Sequence, residues 1–180
     1  MKYIIMIDQI RGNVFLILGE IFSLVAAVLL AYSTFSKEKN KMISKQIWHA
    51  VYCALSNFCL GAYSGLSTNI LTGIRNYLTV KGWFNMPVLI IYSILNVGIG
   101  YAVNTKGLIG LLPAIAGVEY AIFLYKTKSA QVMRYALIIN LLMWVVYDFI
   151  VMSYPMFIMD IIIIIVTTIN AIRFKREKNN

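Results

Sequence analysis

The chain has 180 residues, of which 61% are hydrophobic and only 13% charged, and its mean hydropathy is +0.78. A soluble domain is nearer half apolar and a quarter charged, so the composition excludes a soluble enzyme or binding domain and implies an integral membrane protein. The net charge of +9 does not imply nucleic acid as a partner, because the basic residues form short clusters between apolar runs and not one face or module.

At about 20 residues per span, this length accommodates six or seven membrane helices and no soluble domain. Met1 to Arg11 is a short apolar patch broken by Asp8 and Arg11, without the long apolar core and small-residue cleavage site of a secretory signal. From there, apolar runs predict seven spans: Val14–Phe35, Met42–Tyr63, Leu66–Leu78, Phe84–Val103, Gly107–Tyr125, Val132–Met152 and Tyr154–Phe174. The third is the shortest and most polar, but open backbone cannot face lipid, so a helix is expected there too.

Charge placement supports all seven. With the N-terminus outside, the cytoplasmic side holds Lys37, Lys39, Lys41 and Lys45, then Arg75 and Lys81, then Lys126, Lys128 and Arg134, and finally Arg173, Lys175, Arg176 and Lys178. That is 13 of the 16 basic residues; the outside keeps Lys2, Arg11 and Lys106. Tight hairpins near Ser64-Gly65 and Ser153-Tyr154-Pro155 carry none. Dropping the third span would place the later clusters on the wrong side of the membrane. The expected fold is therefore all-α and polytopic, with the N-terminus outside and the C-terminus inside.

Leu71-Thr72-Gly73-Ile74-Arg75 closes the third span as Ile169-Asn170-Ala171-Ile172-Arg173 closes the seventh. Spans one to three thus match spans five to seven, and a single intervening span makes the halves run the same way through the membrane. This predicts a 3+1+3 arrangement of parallel repeats: a first triple-helix bundle over 13–80, a linker helix over 84–103, a second bundle over 107–174 and a basic tail over 175–180. A site between such repeats is expected near the midplane.

Polar residues within the spans are the site candidates, because a charge in hydrocarbon costs several kcal/mol (about 2.5–3.5 on insertion scales) and so faces a cavity, a partner or a pathway. Asn140, Trp144, Tyr147 and Asp148 share one helical face at offsets of four, seven and eight. An amide, an indole, a phenol and a carboxylate can stack on and hydrogen-bond a ring-shaped or sugar-like solute; the alternative is an interfacial aromatic belt, with Asp148 close enough to the surface to be solvated. Asp160, about two turns into the last span, is the first choice for coupling or solute contact. Glu119, midway along the fifth span, is the second. Glu20 reads either as an outer gate or as a partner of Arg11. Asn57 and Asn69 flank the first outer hairpin and serve either solute contact or helix packing. His49, alone near the cytoplasmic end of its span, reads as an interfacial hydrogen-bonding group. Arg75 and Arg173 read as anchors for lipid phosphates or helix C-terminal carbonyls. Cys53 and Cys59 lack ligand spacing and read as small buried hydrophobes. No metal site and no cofactor are expected.

Leu111-Leu112-Pro113-Ala114-Ile115, Met133-Arg134, Met143-Trp144-Val145 and Asn170-Ala171-Ile172-Arg173-Phe174 resemble the C-terminal half of the bacterial inner-membrane YgjV family. Leu60-Gly61-Ala62-Tyr63, Ile70-Leu71 and Ile74-Arg75 resemble its N-terminal half. That family is similar in architecture to the SWEET, PQ-loop and PnuC transporters, and the resemblance implies a three-plus-one-plus-three helix fold, a bacterial cytoplasmic membrane location and a transport role. The Pro-Gln pair of those hinges is missing here: Pro113 stands at the start of the fifth span, and the first has no proline.

An enzyme is not expected. The chain has no Gly-x-Ser-x-Gly, no His-Glu-x-x-His and no phosphate-cradling glycine loop, and Asp148 with Asp160 is the one carboxylate pair that adjacent helices could bring together. The expected function is a small-solute transporter or facilitator working by alternating access, with the lipid bilayer and a vitamin, nucleoside or sugar-like solute as partners. A homo-oligomer stays open. The alternative is a non-transporting receptor or assembly factor whose buried polar groups only fix helix packing.

Overall fold

A computed structural model describes the backbone of residues 2–61, 63–104, 107–150 and 154–179, and the side chains of 13–61, 65–104, 107–150 and 156–177. The described residues are all-helical, with no strand: α1 (Lys2–Ser33), α2 (Lys39–Cys59), α3 (Tyr63–Val80), α4 (Met86–Ala102), a 3-10 turn (Gly107–Leu111), α5 (Leu112–Lys126), α6 (Ala130–Ile150) and α7 (Tyr154–Asn179). Each predicted run holds one helix. Helices are what an apolar chain must form, because hydrocarbon offers no partner to an unpaired backbone N–H or C=O. Pro113 sits in the first turn of α5, where its missing N–H costs nothing, so it starts a helix and hinges none.

The boundaries differ in three places. α1 begins at Lys2, well before the predicted Val14, and α7 continues through residues 175–179 in place of a separate tail. The first hairpin turns at Leu60-Gly61, Gly61 taking a left-handed φ of 68°, so Gly65 lies within α3. There it permits a close approach: a Cβ at Gly65 would come within 2.7 Å of the Asn57 amide. The second hairpin at Ser153, the side chains of Lys2, Arg11 and Lys178, and Lys106 lie outside the described residues.

Four stretches are long and apolar enough to cross a membrane: Asn13–Ser33, Gly107–Lys126, Ala130–Ile150 and Met156–Glu177; Met86–Ala102 is apolar but shorter. α2 and α3 fall below that mark because they carry the polar residues of the interior. Gln46 and Ser56 on α2, and Arg75, Asn76 and Thr79 on α3, are buried. The outer surface is apolar instead, with Ile17, Leu24, Val28, Ile74, Ile91 and Ile94 each about half exposed or more. Polar inside and apolar outside is the arrangement lipid demands.

Neighbouring helices run antiparallel. Ser56 Oγ donates to Gly19 O (2.8 Å) while His49 Nδ1 lies 2.9 Å from Ala26 O, which sets the register of α2 on α1. Asn96 Nδ2 donates to Ala114 O (2.8 Å) between α4 and α5, and Asn140 Nδ2 to Ala116 O (2.7 Å) between α6 and α5. α4 and α5 close to small-residue distance, since a Cβ on Gly100 would meet Ala114 Cβ at 2.8 Å. α1 also packs against α7, and α3 against α5, which closes the helices into a ring.

All the described loops with basic residues lie at one end, where α1 finishes and α2 begins. Two arginines assigned to those loops are instead interior: Arg75 is 3% exposed and Arg134 2%. Arg134 Nε donates to Thr34 O (2.8 Å), Nη2 to Ser36 O (2.6 Å) and Nη1 to Gln131 Oε1 (2.9 Å), and its guanidinium lies 4.3 Å from the Phe174 ring centre. It thereby satisfies carbonyls left open where α1 ends. Asn170 Nδ2 donates to Thr34 Oγ1 (2.7 Å), Gln46 bridges Ser33 Oγ (3.5 Å) and the Tyr120 hydroxyl (2.9 Å), and around them pack Leu30, Met42, Ile43, Leu124, Met133 and Leu137. Lys39 Nζ donates to Leu124 O (2.5 Å) and Thr127 O (2.7 Å), capping α5, and burial lowers its pKa. The Lys37–Glu177 and Arg173–Glu177 pairs are solvent-exposed and contribute little.

Replacing Arg134 by Ala removes three charge-assisted hydrogen bonds and strands two buried carbonyls. We expect a loss of roughly 3 kcal/mol, visible as a lowered Tm of the purified protein, with Arg134→Lys intermediate because an ammonium cannot span both carbonyls and the Phe174 ring. An unchanged Tm for Arg134→Ala would remove Arg134 from its role at this end.

Candidate functional site

The polar residues of the interior do not simply pack against one another. They line a cavity of about 470 Å³ bounded by residues of all seven helices. Its floor lies toward the basic end and is made by Leu30, Gln46, Arg75, Asn76, Tyr120 and Leu137, all buried. Toward the other end the lining includes Leu60 (38% exposed) and Val103 (43% exposed). The cavity is therefore closed at the basic end by the polar and apolar layer described above.

α2 supplies Gln46, His49, Cys53 and Asn57, a stripe at helical spacing that faces inward because the opposite side of α2 is apolar. α3 supplies Thr68, Asn69, Thr72, Arg75 and Asn76 by the same periodicity. From α6 come Leu137, Asn140, Leu141, Trp144, Tyr147 and Asp148, and from α7 Met156, Met159, Asp160 and Ile163. The predicted face of Asn140, Trp144, Tyr147 and Asp148 thus borders the cavity as a unit, with Trp144 and Tyr147 edge to face at 5.8 Å. Asp148 is 6% exposed, which corrects the expectation of a solvated residue: α6 turns it inward, onto the cavity wall. Asp160, Asn57 and Asn69 border the same space, and Asp148 acts electrostatically on Asp160. Asn69 Nδ2 donates to Gly65 O (2.9 Å) on its own helix.

Two candidates stand apart. Glu20 is exposed on the outer side of α1, away from the lining, and its suggested partner Arg11 has no described side chain. Glu119 is also off the lining. Both its carboxylate oxygens are buried without a hydrogen-bond partner among the described residues, since the Asn140 amide beside it donates to Ala116 O instead.

Arg75 is the residue that sequence reasoning misplaced. Its match with Arg173 suggested equivalent membrane anchors, yet Arg75 is twelve residues from the start of α3 and Arg173 nineteen from the start of α7. The two extra turns carry Arg173 out to the surface, while Arg75 stays in the core. Its Nε and Nη2 donate to Asn76 Oδ1 (3.2 and 3.1 Å), and Nη1 to the Tyr92 hydroxyl and Gly117 O (3.1 Å each). Gly117 is needed for that contact, because a Cβ there would meet Asn96 Nδ2 at 2.7 Å and the Tyr92 hydroxyl at 3.2 Å. His49 was likewise read as interfacial; it borders the cavity, tied to Ala26 O, with Cys53 Sγ 3.7 Å from its ring nitrogens. The signal that could have found both was the i, i+4 and i, i+3 polar stripes of α2 and α3, which a reading by hydropathy alone passes over.

The arrangement can enclose a small solute, stack it on Trp144 or Tyr147, and meet it with groups of either charge. Among curated proteins and among solved structures, none matches the chain. A family model described as "Bacterial inner membrane protein" matches residues 17–178, a range that includes every motif of the resemblance. The chain belongs to this family, Imp-YgjV, and is a multi-pass protein of the bacterial cytoplasmic membrane.

Proposed function

We propose that the protein is a small-solute transporter or facilitator, working by alternating access between two triple-helix bundles that each cross the membrane three times, with α4 as the linking span. The observation that carries this reading is the cavity: both halves line it, and its basic end is closed. A non-transporting protein whose polar groups served only packing would be expected to have a solid core at this place. A cavity of about 470 Å³ lies in the range of small-molecule sites. Trp144, Tyr147, Asn140 and Asp160 on one side, and Asn57 and Asn69 on the other, are the groups assigned to solute contact.

Support for the two-fold relation comes from the ring itself. Exchanging α1–α3 with α5–α7 interchanges the α1–α7 contact with the α3–α5 contact and returns the α2–α6 contact to itself. The orientation proposed is N-terminus outside and C-terminus inside, because the basic loops crowd the end where α7 finishes. In this conformation the cavity would then be closed to the cytoplasm. Inward opening requires the Gln46–Tyr120, Arg134–Thr34 and Asn170–Thr34 bonds to part, all at the basic end. No catalytic role is assigned to Asp148 and Asp160, which share the cavity.

Three measurements test this. In proteoliposomes, a panel of vitamins, nucleosides and small sugars should include at least one solute that moves, and Trp144→Ala or Asp160→Asn should slow it tenfold or more. If none moves, and those substitutions alter only expression, the transport reading fails. A reporter that fluoresces only in the cytoplasm should be bright at the C-terminus; a dark fusion reverses the orientation. Tyr120→Phe removes one bond of the closed end, about 1 kcal/mol, which should raise labelling of Cys53 by an impermeant maleimide from the basic side roughly fivefold in a Cys59→Ser background.

A further inference from the structure

Three ionisable side chains border the cavity without an ion-pair partner among the described residues, and they differ in type and in position. Arg75 belongs to the floor; Asp160 and Asp148 stand on the opposite wall. Arg75 is held rigidly. Its four hydrogen bonds go to Asn76, Tyr92 and Gly117, and its guanidinium lies 5.1 Å and 5.2 Å from the ring centres of Tyr92 and Tyr120. Every acceptor is neutral, so the positive charge is positioned but not balanced. One Nη2 N–H is left unengaged, since five are available and four are used. Glu119 acts on Arg75 only through space, with no N–O contact inside 4.0 Å, and lies off the lining.

The groups are also separated along their helices. α3 and α7 both start at the end away from the basic loops; Arg75 is twelve residues along its helix and Asp160 six along its own. At 1.5 Å per residue the Arg75 Cα is about 9 Å farther along its helix than the Asp160 Cα is along its own. Arg75 lies on the first half of the chain, and both aspartates lie on the second. A neutral solute would leave the Arg75 charge uncompensated in a membrane interior, an anion alone would leave both carboxyl groups without a partner, and a cation alone would leave the guanidinium unpaired.

We propose that the solute of this cavity is amphoteric, with a carboxylate- or phosphate-type group that docks on Arg75 and an ammonium group that docks on Asp160, with Asp148 nearer the start of α7. The assignment rests on the transport reading of this cavity and narrows its substrate. Such a solute ties the two halves together through its own charges, and a solute with one charge reaches only one of them. That difference is what a ligand needs in order to shift a two-state equilibrium.

The test is binding to the purified full-length chain, with triglycine as the probe, because its terminal charges are about 10 Å apart when extended. The comparisons are N-acetyl-triglycine, triglycine amide and glycine. Triglycine should bind at least tenfold more tightly than any of them. Asp160→Asn should erase its advantage over the N-acetyl form while keeping its advantage over the amide, and Arg75→Gln should do the reverse. If Arg75→Gln fails to fold, the ligand series on the native chain and Asp160→Asn decide the matter. Equal binding of all four, preference for a singly charged form, or no binding by any overturns the proposal. Triglycine selectivity without uptake into proteoliposomes keeps the charge assignment and sinks the transport reading. Uptake of a neutral sugar unaffected by Asp160→Asn does the opposite.

Discussion

The Arg134 guanidinium holds the basic end of the molecule together, and the position of the cavity depends on it. By donating to Thr34 O and Ser36 O it settles the carbonyls that α1 leaves open as it ends, and by lying against Phe174 it brings α6, α1 and α7 to one point. With that end fixed, Tyr120, Gln46 and Ser33 meet above the apolar layer of Leu30, Met42, Ile43, Leu124 and Met133. The space between the helices is therefore closed off at the basic end.

Lipid sets the second constraint. A helix that faces hydrocarbon on its outer side must place its polar residues inward, and α2 and α3 carry too many to bury in pairs. Some are absorbed by backbone carbonyls, as with Ser56 on Gly19 and Thr79 on Arg75. Arg75, His49 and Asn69 likewise reach a backbone carbonyl yet still border open space, as does Asn57. The low hydropathy of these two helices and the existence of the cavity are one fact seen twice.

Much of the helix order was legible in the sequence, because twenty-residue apolar runs have few other solutions in a membrane and the basic clusters mark one end. The shared face of Asn140, Trp144, Tyr147 and Asp148 was legible for a related reason, since helical periodicity alone puts them together. Asp148 was misread as solvated because distance from a span's end predicts depth along the membrane but not whether a residue faces in or out. Arg75 was misread because a short motif match set it equal to Arg173, and only the actual start of each helix reveals the two-turn offset.

By itself, the sequence determined that this chain lives in a membrane, that its backbone is helical, and that its positive charge gathers at one end, because each follows from composition and local spacing. Tertiary structure alone decided which polar groups share a space. Arg75, 85 residues before Asp160 in the chain, borders the same cavity through the packing of α3, α5 and α7, and no local pattern encodes that meeting. The same packing took Glu20 and Glu119 off the cavity wall, although their place within the spans had made both of them candidates beside Asp160.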